Sequence, residues 1–177
     1  MAGMLGRIMR AARLDSRLYE EVEADRGALG QAIGVVVLGS IASGVGGGGL
    51  IGITAIAGGA IRELIVWVIW AALTYLIGAK LLPEPQTRAD LGELLRTIGF
   101  ANAPCLLRIF ALIPGATSLV FAVSGVWRLA AMVVAVRQAL DYSSTWRAVV
   151  VCLIGLLVDL FSFLVLLWLL LGAGGAS

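Results

Sequence analysis

Three long stretches of the sequence carry no charged side chain: residues 27–61, 109–127 and 160–177. About 20 apolar residues form one helical crossing of a hydrocarbon layer roughly 30 Å thick. The chain of 177 residues is 60% hydrophobic and only 14% charged, whereas ordinary soluble domains are about 25% charged. These features predict an integral membrane protein of the all-α class, a polytopic bundle of membrane-spanning helices.

Breaks in the apolar pattern divide the chain into five predicted spans. Four glycines at 46–49 end the first span, and Pro83 ends the second, with a loop or short turn over 50–58 between them. Pro114 begins a tight turn after the third span. The predicted transmembrane domain covers 27–177, and its spans are 28–47, 60–82, 94–113, 117–138 and 146–171.

Basic residues predict the orientation of these spans. With the N-terminus in the cytoplasm, ten basic residues flank inner ends and only Arg62 flanks an outer end. Because basic flanks stay in the cytoplasm, five spans place the C-terminus outside. If the third and least hydrophobic segment is re-entrant, four segments cross and the C-terminus lies inside. The ten inner residues are Arg7, Arg10, Arg13, Arg17, Arg26, Lys80, Arg88, Arg96, Arg137 and Arg147.

Residues 1–26 form a predicted cytosolic or interfacial leader with two parts. Apolar residues from Met4 to Ala12 and a set of arginines recur at helical spacing, which predicts a short basic amphipathic helix in the headgroup region. The acidic patch that follows is interpreted as a solvated connector to the first span, with a docking surface as the alternative. The arginines are Arg7, Arg10, Arg13 and Arg17, and the acidic patch is Glu20, Glu21, Glu23 and Asp25.

Three charged residues interrupt the later spans: Arg108, Arg128 and Asp159. A charge at mid-bilayer costs about 2.5–3.5 kcal/mol on insertion scales. At about 1.5 Å of helical rise per residue, the three lie at similar depths, so Asp159 is predicted to pair with Arg128, Arg108 or both. Two interpretations stay open, an ion pair that sets helix register and a substrate or proton site. One carboxylate and two arginines leave a net positive charge, which an anion, a lipid phosphate or water could balance.

Asn102 and Pro104 lie in the third span beside Arg108. Proline frees a backbone carbonyl inside a membrane helix, and an asparagine amide can bond across helices. The sequence therefore predicts a kink at Pro104. The more specific alternative is that this kink opens a small polar cavity beside Arg108. Glycines four residues apart within 30–52 would permit close helix contact, although 23 glycines make such spacings common by chance.

The sequence has no recognisable catalytic or metal-binding pattern. It contains no histidine, and neither an HExxH nor a GxSxG motif occurs. Cys105 and Cys152 lie in apolar segments without metal-ligand spacing and are predicted to be buried core residues. The chain is therefore interpreted as a non-enzymatic protein without cofactor or metal. Its basic residues are spread along membrane flanks, so no nucleic-acid partner is indicated.

Three segments resemble bacterial members of the Yip family, the Ypt/Rab-interacting membrane proteins. They are RLDSRLYEEVEADRGALGQA (13–32), LLRTIGFANAPCLLRIFALIP (94–114) and WRLAAMVVAVRQALDYSSTWRAV (127–149). Within them, the acidic leader, the F-A-x-A-P turn and the W-x-x-x-A…R-Q-A-L pattern carry most of the likeness. The resemblance implies a five-helix membrane domain with a cytosolic N-terminus, here in a bacterial inner membrane. Eukaryotic members bind Rab-type GTPases, and that partner is not transferred to this chain.

The sequence is compatible with three classes of function. The favoured hypothesis is a membrane scaffold or adaptor that sits in the lipid bilayer, binds a membrane or cytosolic protein and organises or shapes the membrane. The alternative is a small transporter or channel subunit that uses Arg108, Arg128 and Asp159, with oligomerisation building the path. An intramembrane enzyme is the least favoured class, because the sequence has no histidine and neither catalytic motif, and because Asp159 is the single carboxylate expected at mid-membrane. A homo-oligomer is compatible with the scaffold and with the transporter.

Overall fold

The computed structural model describes residues 3–48, 52–157 and 160, and the regular elements in these residues are all helical. This confirms the predicted all-α class. In chain order the elements are α1 (Met4–Ala12), α2 (Ser16–Ala24), α3 (Ala28–Gly48), α4 (Ile53–Thr74) with a π-helical extension (Tyr75–Leu81), α5 (Leu91–Phe100), a 3₁₀ segment (Ala103–Leu112), α6 (Thr117–Ala139) and α7 (Thr145–Leu157).

Four of these stretches are long and apolar enough to cross a membrane. They are Ala28–Gly48, Ile56–Leu81, Leu91–Leu112 and Thr117–Ala139. The apolar helix Thr145–Leu157 is shorter, and most of the rest of the predicted fifth span lies outside the described residues. The arrangement is that of a polytopic helical bundle.

The second span begins earlier than predicted. The loop predicted over 50–58 is wrong from Ile53 onward, because α4 starts there with Gly52 as its N-cap. In hydrocarbon an irregular backbone leaves amide groups without partners, so even a glycine-rich segment is driven into a helix. Gly59 also lies directly against α3, where an added Cβ would be 3.7 Å from the Ser40 hydroxyl. Arg62 and Glu63 consequently lie well inside α4 rather than at its start.

The third span is broken near its middle. Helix α5 ends at Phe100, and the chain continues after Asn102 as the 3₁₀ segment, with Pro104 in its first turn. Proline fits this position because the first turn of a helix needs no backbone donor there. The Asn102 amide donates to the Ile98 carbonyl at 2.9 Å, so it bonds within its own helix instead of across helices.

The leader is part of the packed core. Leu18, Tyr19 and Val22 of α2 are fully buried, and α2 lies against α5 and α6. The interpretation of this segment as a solvated connector is therefore wrong. The three residues form one stripe of the α2 helix, and burying that stripe holds the acidic side chains beside it at fixed positions on the bundle.

Candidate functional site

Arg7 joins the basic and acidic parts of the leader. Its side chain is only 5% exposed, and Nη2 lies 2.8 Å from an Asp25 oxygen and 2.9 Å from a Glu21 oxygen. Nη1 also donates to the Gln31 side chain at 3.2 Å. The hydrogen bond from Arg7 holds the pKa of Asp25 below its ordinary value. One guanidinium thus ties α1 to both α2 and α3.

The other leader arginines divide into two kinds. Arg10 bonds to Asp15 at 2.8 Å and to Glu21, and these bonds lower the pKa of both carboxyl groups. Arg13 and Arg17 are exposed. The arginines and the acidic patch are predicted from the sequence as separate features, whereas in the structure Arg7 and Arg10 face inward and bind Glu21 and Asp25 of that patch.

Helix α1 presents an apolar side to its surroundings and rests on the spans. Leu5 and Met9 are 69% and 50% exposed. At the end of α1, the Ala12 carbonyl accepts a hydrogen bond from Trp127 Nε1 at 2.7 Å. Because Trp127 is near the midpoint of α6, the leader reaches well along the bundle and does not simply cover its end.

A polar recess opens beside α2, at what we call the leader end of the bundle, where α2, the loop after α4 and the turn after α6 meet. Its volume is about 530 Å³. Gln138 donates to Glu20 at 2.6 Å across one side, while the Arg137 guanidinium donates to the carbonyls of Tyr142 and Ser143 at 3.3 and 3.4 Å. The lining residues are Glu20, Glu23, Gln86, Arg137, Gln138, Asp141 and Tyr142.

Negative charge is concentrated in this recess. Burial of the carboxyl group, together with the charges of Asp141 and Glu93, raises the pKa of Glu23 to about 7. Arg96 opposes this rise, but its guanidinium is engaged by the backbone carbonyls of Val22 and Glu23. The recess therefore holds acidic groups that the neighbouring arginines only partly neutralise.

We expect the stability of the protein to fall as the pH rises, because of Glu23. Its folded pKa of about 7 lies above the ordinary value of 4.5, so the folded state holds this proton more tightly than the unfolded state. The stabilisation is fully present below about pH 4.5 and is lost as the pH rises to about 7. Glu23→Gln has a neutral side chain at every pH. The melting temperature of this variant minus that of the wild type should therefore be larger at pH 8 than at pH 5.

The matched control for this prediction is Glu20→Gln, on the exposed side of the same helix. Glu20 is the smallest of the charges that raise the pKa of Glu23, so this variant should keep most of the wild-type fall in stability between pH 5 and pH 8, measured by thermal unfolding in detergent. If the melting temperatures of Glu23→Gln and the wild type differ by the same amount at both pH values, the raised pKa of Glu23 does not cause the fall in stability.

The loop and the turn at the leader end are bonded to each other. The Tyr142 hydroxyl lies 2.9 Å from the carbonyl oxygens of Gly78 and Leu82, where the π-helical extension of α4 ends. Glu84 accepts bonds from the Ser143 amide and hydroxyl at 3.0 and 2.8 Å, and these bonds lower its pKa. The sequence predicts both segments as loops or turns, but its local patterns give no indication of these contacts.

Among the spans, Arg108 is held by uncharged partners. Its guanidinium donates to the Ser124 hydroxyl at 3.1 Å and to the Ser43 hydroxyl at 3.0 Å, and it lies 5.0 Å from the centre of the Phe121 ring. Within residues 3–48, 52–157 and 160, no carboxylate lies within 4.0 Å of Arg108. These contacts bridge α3, the 3₁₀ segment and α6.

Arg128 pairs with a carboxylate outside the predicted group of Arg108, Arg128 and Asp159. Its Nη2 lies 3.5 Å from Glu63, and both side chains are largely buried. Glu63 lies within the candidate span Ile56–Leu81, whereas the predicted start at residue 60 placed it at the membrane surface. Asp159 lies outside the described residues, and its pairing stays a prediction. The structure does not bring Asn102 into bonding contact with the two arginines.

A cavity of about 250 Å³ lies next to both arginines. Apart from the guanidinium groups, its walls are mainly apolar. The lining residues are Trp70, Arg108, Gly125, Arg128, Leu129, Met132 and Leu156. Within the described part of the chain, no cluster of histidine, cysteine and acidic side chains has the geometry of a metal site, and Cys105 and Cys152 are buried free thiols.

Comparison with known proteins identifies a family but no individual relative. No curated protein and no solved structure is significantly similar to the chain. The model of the Yip1 domain matches residues 16–170, which includes α2, the broken third span, the leader-end recess and both arginines of the intramembrane cavity. This match confirms the Yip family membership inferred from the three sequence segments. The chain therefore belongs to the Yip1 domain family of membrane proteins.

Proposed function

We propose that this protein is a non-enzymatic membrane scaffold or adaptor that binds a protein partner at the leader end of the bundle. The observation that carries the proposal is the open acidic recess beside α2, about 530 Å³ in volume. Three other acidic groups of the leader, Asp15, Glu21 and Asp25, are bonded to Arg7 or Arg10. Glu20 and Glu23 have no ion pair among the described residues and both line the recess, so they remain available to a second protein.

The charge of the recess favours a basic partner segment. Glu20, Glu23 and Asp141 line it, and Arg137 is already bonded to backbone carbonyls. Burial is the main reason that the pKa of Glu23 is raised, and repulsion from neighbouring carboxylates adds to it. A lysine or arginine side chain entering here would offset that repulsion. Buried charge pairs of this kind contribute mainly to partner specificity and association rate.

A photo-crosslinking amino acid at Gln86 tests this proposal. Gln86 is exposed at the recess, so a crosslink in cells should yield a discrete protein adduct that mass spectrometry can identify. Arg62 is the matched control position, because its side chain is 76% exposed and lies on α4 away from the recess. Glu20→Lys should strongly reduce the adduct at position 86. Equal crosslinking at both positions, or an adduct insensitive to Glu20→Lys, would refute the proposal.

The proposal includes an orientation, with the leader end in the cytoplasm. Ten basic residues flank this side in the five-span arrangement, and such flanks are retained in the cytoplasm. A reporter fused at the C-terminus should then be active only outside the cytoplasm of a bacterial host. Cytoplasmic activity of the fusion would mean that an even number of segments crosses the membrane.

The same leader also provides a way to organise the bilayer. Leu5 and Met9 of α1 are exposed beside the spans, so they add apolar volume on one side of the bundle. Amphipathic helices placed in this way respond to curvature and lipid composition.

For an adaptor we expect no ion or solute flux when the protein is reconstituted in liposomes. Such a flux would favour a transporter.

A further inference from the structure

Arg108 carries a positive charge for which the described residues provide no carboxylate partner. Its described contacts are two hydroxyl groups and an aromatic ring, none of which neutralises a guanidinium. Arg128 already shares Glu63 with Arg62, whose Nη2 lies 3.8 Å from the same carboxylate. Charged groups inside a membrane protein are paired or face a cavity. Among the described residues, positive charge therefore exceeds negative charge around Arg108 and Arg128.

The intramembrane cavity gives this excess charge a place to meet an anion. Arg108 and Arg128 both line it, and Trp70 and Met132 form part of its apolar wall. At about 30 Å³ per water molecule, its volume of about 250 Å³ is far larger than one solvent molecule needs. Gly125 keeps part of the wall open, since an added Cβ there would meet no atom within 4 Å.

The cavity communicates with the bilayer. Leu129 and Leu156 line it and are exposed at 46% and 41%, so its mouth is formed by apolar side chains that face the surroundings of the bundle. A ligand that enters from this side must be soluble in the membrane. A ligand that stays must also offer a negative group to the two guanidinium groups.

We propose that this cavity binds the anionic head of a membrane amphiphile, with its hydrocarbon chain lying along Leu129 and Leu156. The shared chemistry is one negative oxygen group on an acyl chain, as in the phosphate of an anionic phospholipid or the carboxylate of a fatty acid. Guanidinium groups match both because they donate two parallel hydrogen bonds. This inference does not depend on the adaptor function.

The test uses the full chain in phosphatidylcholine nanodiscs. Dioleoylphosphatidylglycerol or oleate is titrated in, while native mass spectrometry counts bound molecules and thermal unfolding reports stabilisation. We expect saturable binding of one molecule to the wild type. Arg108→Gln should weaken binding by about tenfold or more, since a charge-assisted hydrogen bond contributes about 1.5–3 kcal/mol. Arg88→Gln, which removes an exposed arginine of the loop after α4 outside the cavity, should bind like the wild type.

A second variant keeps the test decisive if Arg108→Gln does not fold. Gly125→Leu fills the cavity and retains both arginines, so it should abolish binding by excluding the ligand. Preference for phosphatidylglycerol or for oleate would identify the head group as phosphate or carboxylate, and either result supports the proposal. Absence of saturable binding to the wild type, or unchanged binding to Arg108→Gln and Gly125→Leu, overturns it. Binding that appears only in Asp159→Asn also overturns it, because Asp159 would then be the resident counter-ion.

Discussion

Replacing Gly46 with alanine is expected to destabilise the folded bundle by about 3 kcal/mol, at the upper end of the usual cost of overpacking a core. A Cβ at this position would lie 1.9 Å from the Arg108 carbonyl oxygen and 3.0 Å from its carbonyl carbon. Both are backbone atoms, so the clash is relieved only by moving α3 away from the 3₁₀ segment. That shift would also disturb the bond between Arg108 and Ser43. Unfolding in mixed micelles measures the loss.

Gly44→Ala is the control for this prediction, two residues away on the same helix. An added Cβ at Gly44 would meet nothing within 4 Å. Alanine is a better helix former than glycine by roughly 1 kcal/mol, so this variant should be neutral or slightly more stable than the wild type. If Gly46→Ala is tolerated as well as Gly44→Ala, the close approach of α3 to the 3₁₀ segment is incorrect.

Arg7→Met is expected to release the leader and to lower the free energy of unfolding by about 2–3 kcal/mol. Breaking a buried ion pair costs about 3–5 kcal/mol, and the lower value allows for solvent screening of Glu21 and Asp25, which are 35% and 40% exposed. Methionine keeps the apolar stem but loses the bonds to α2 and α3. Trypsin should therefore cleave after Arg13 and Arg17 faster than in the wild type, as a digestion time course would record.

The matched substitution is Arg13→Met, at the exposed end of α1. A surface substitution of this kind changes stability by no more than about 0.5 kcal/mol, and cleavage after Arg17 should keep its wild-type rate. Equal stability of Arg7→Met and Arg13→Met would mean that the leader is held without the Arg7 ion pairs. Its anchors would then be the buried side chains of Leu18, Tyr19 and Val22.

Part of the candidate site was visible in the sequence and part was not. Arg108 and Arg128 were identified because a charge inside an apolar run is costly and therefore informative. Glu63 was missed because its position relative to the membrane depended on where α4 begins. The leader-end recess was missed for a different reason: Glu23 and Asp141 are far apart in the chain, and only the packing of α2 against α6 brings them together.

Membership of the helical membrane class follows from the sequence alone. Hydrocarbon offers no hydrogen-bond partners, so long charge-free runs such as 27–61 must satisfy their backbone groups locally, as helices. The pairing of charges was decided only by the tertiary structure, because the rotation and relative height of two helices are not encoded in the spacing along either one. Arg7 thus meets Asp25 inside the fold, and Arg128 meets Glu63. The charge-free runs define where the membrane spans lie, and the packing of those spans determines which of the few charges remain available for binding.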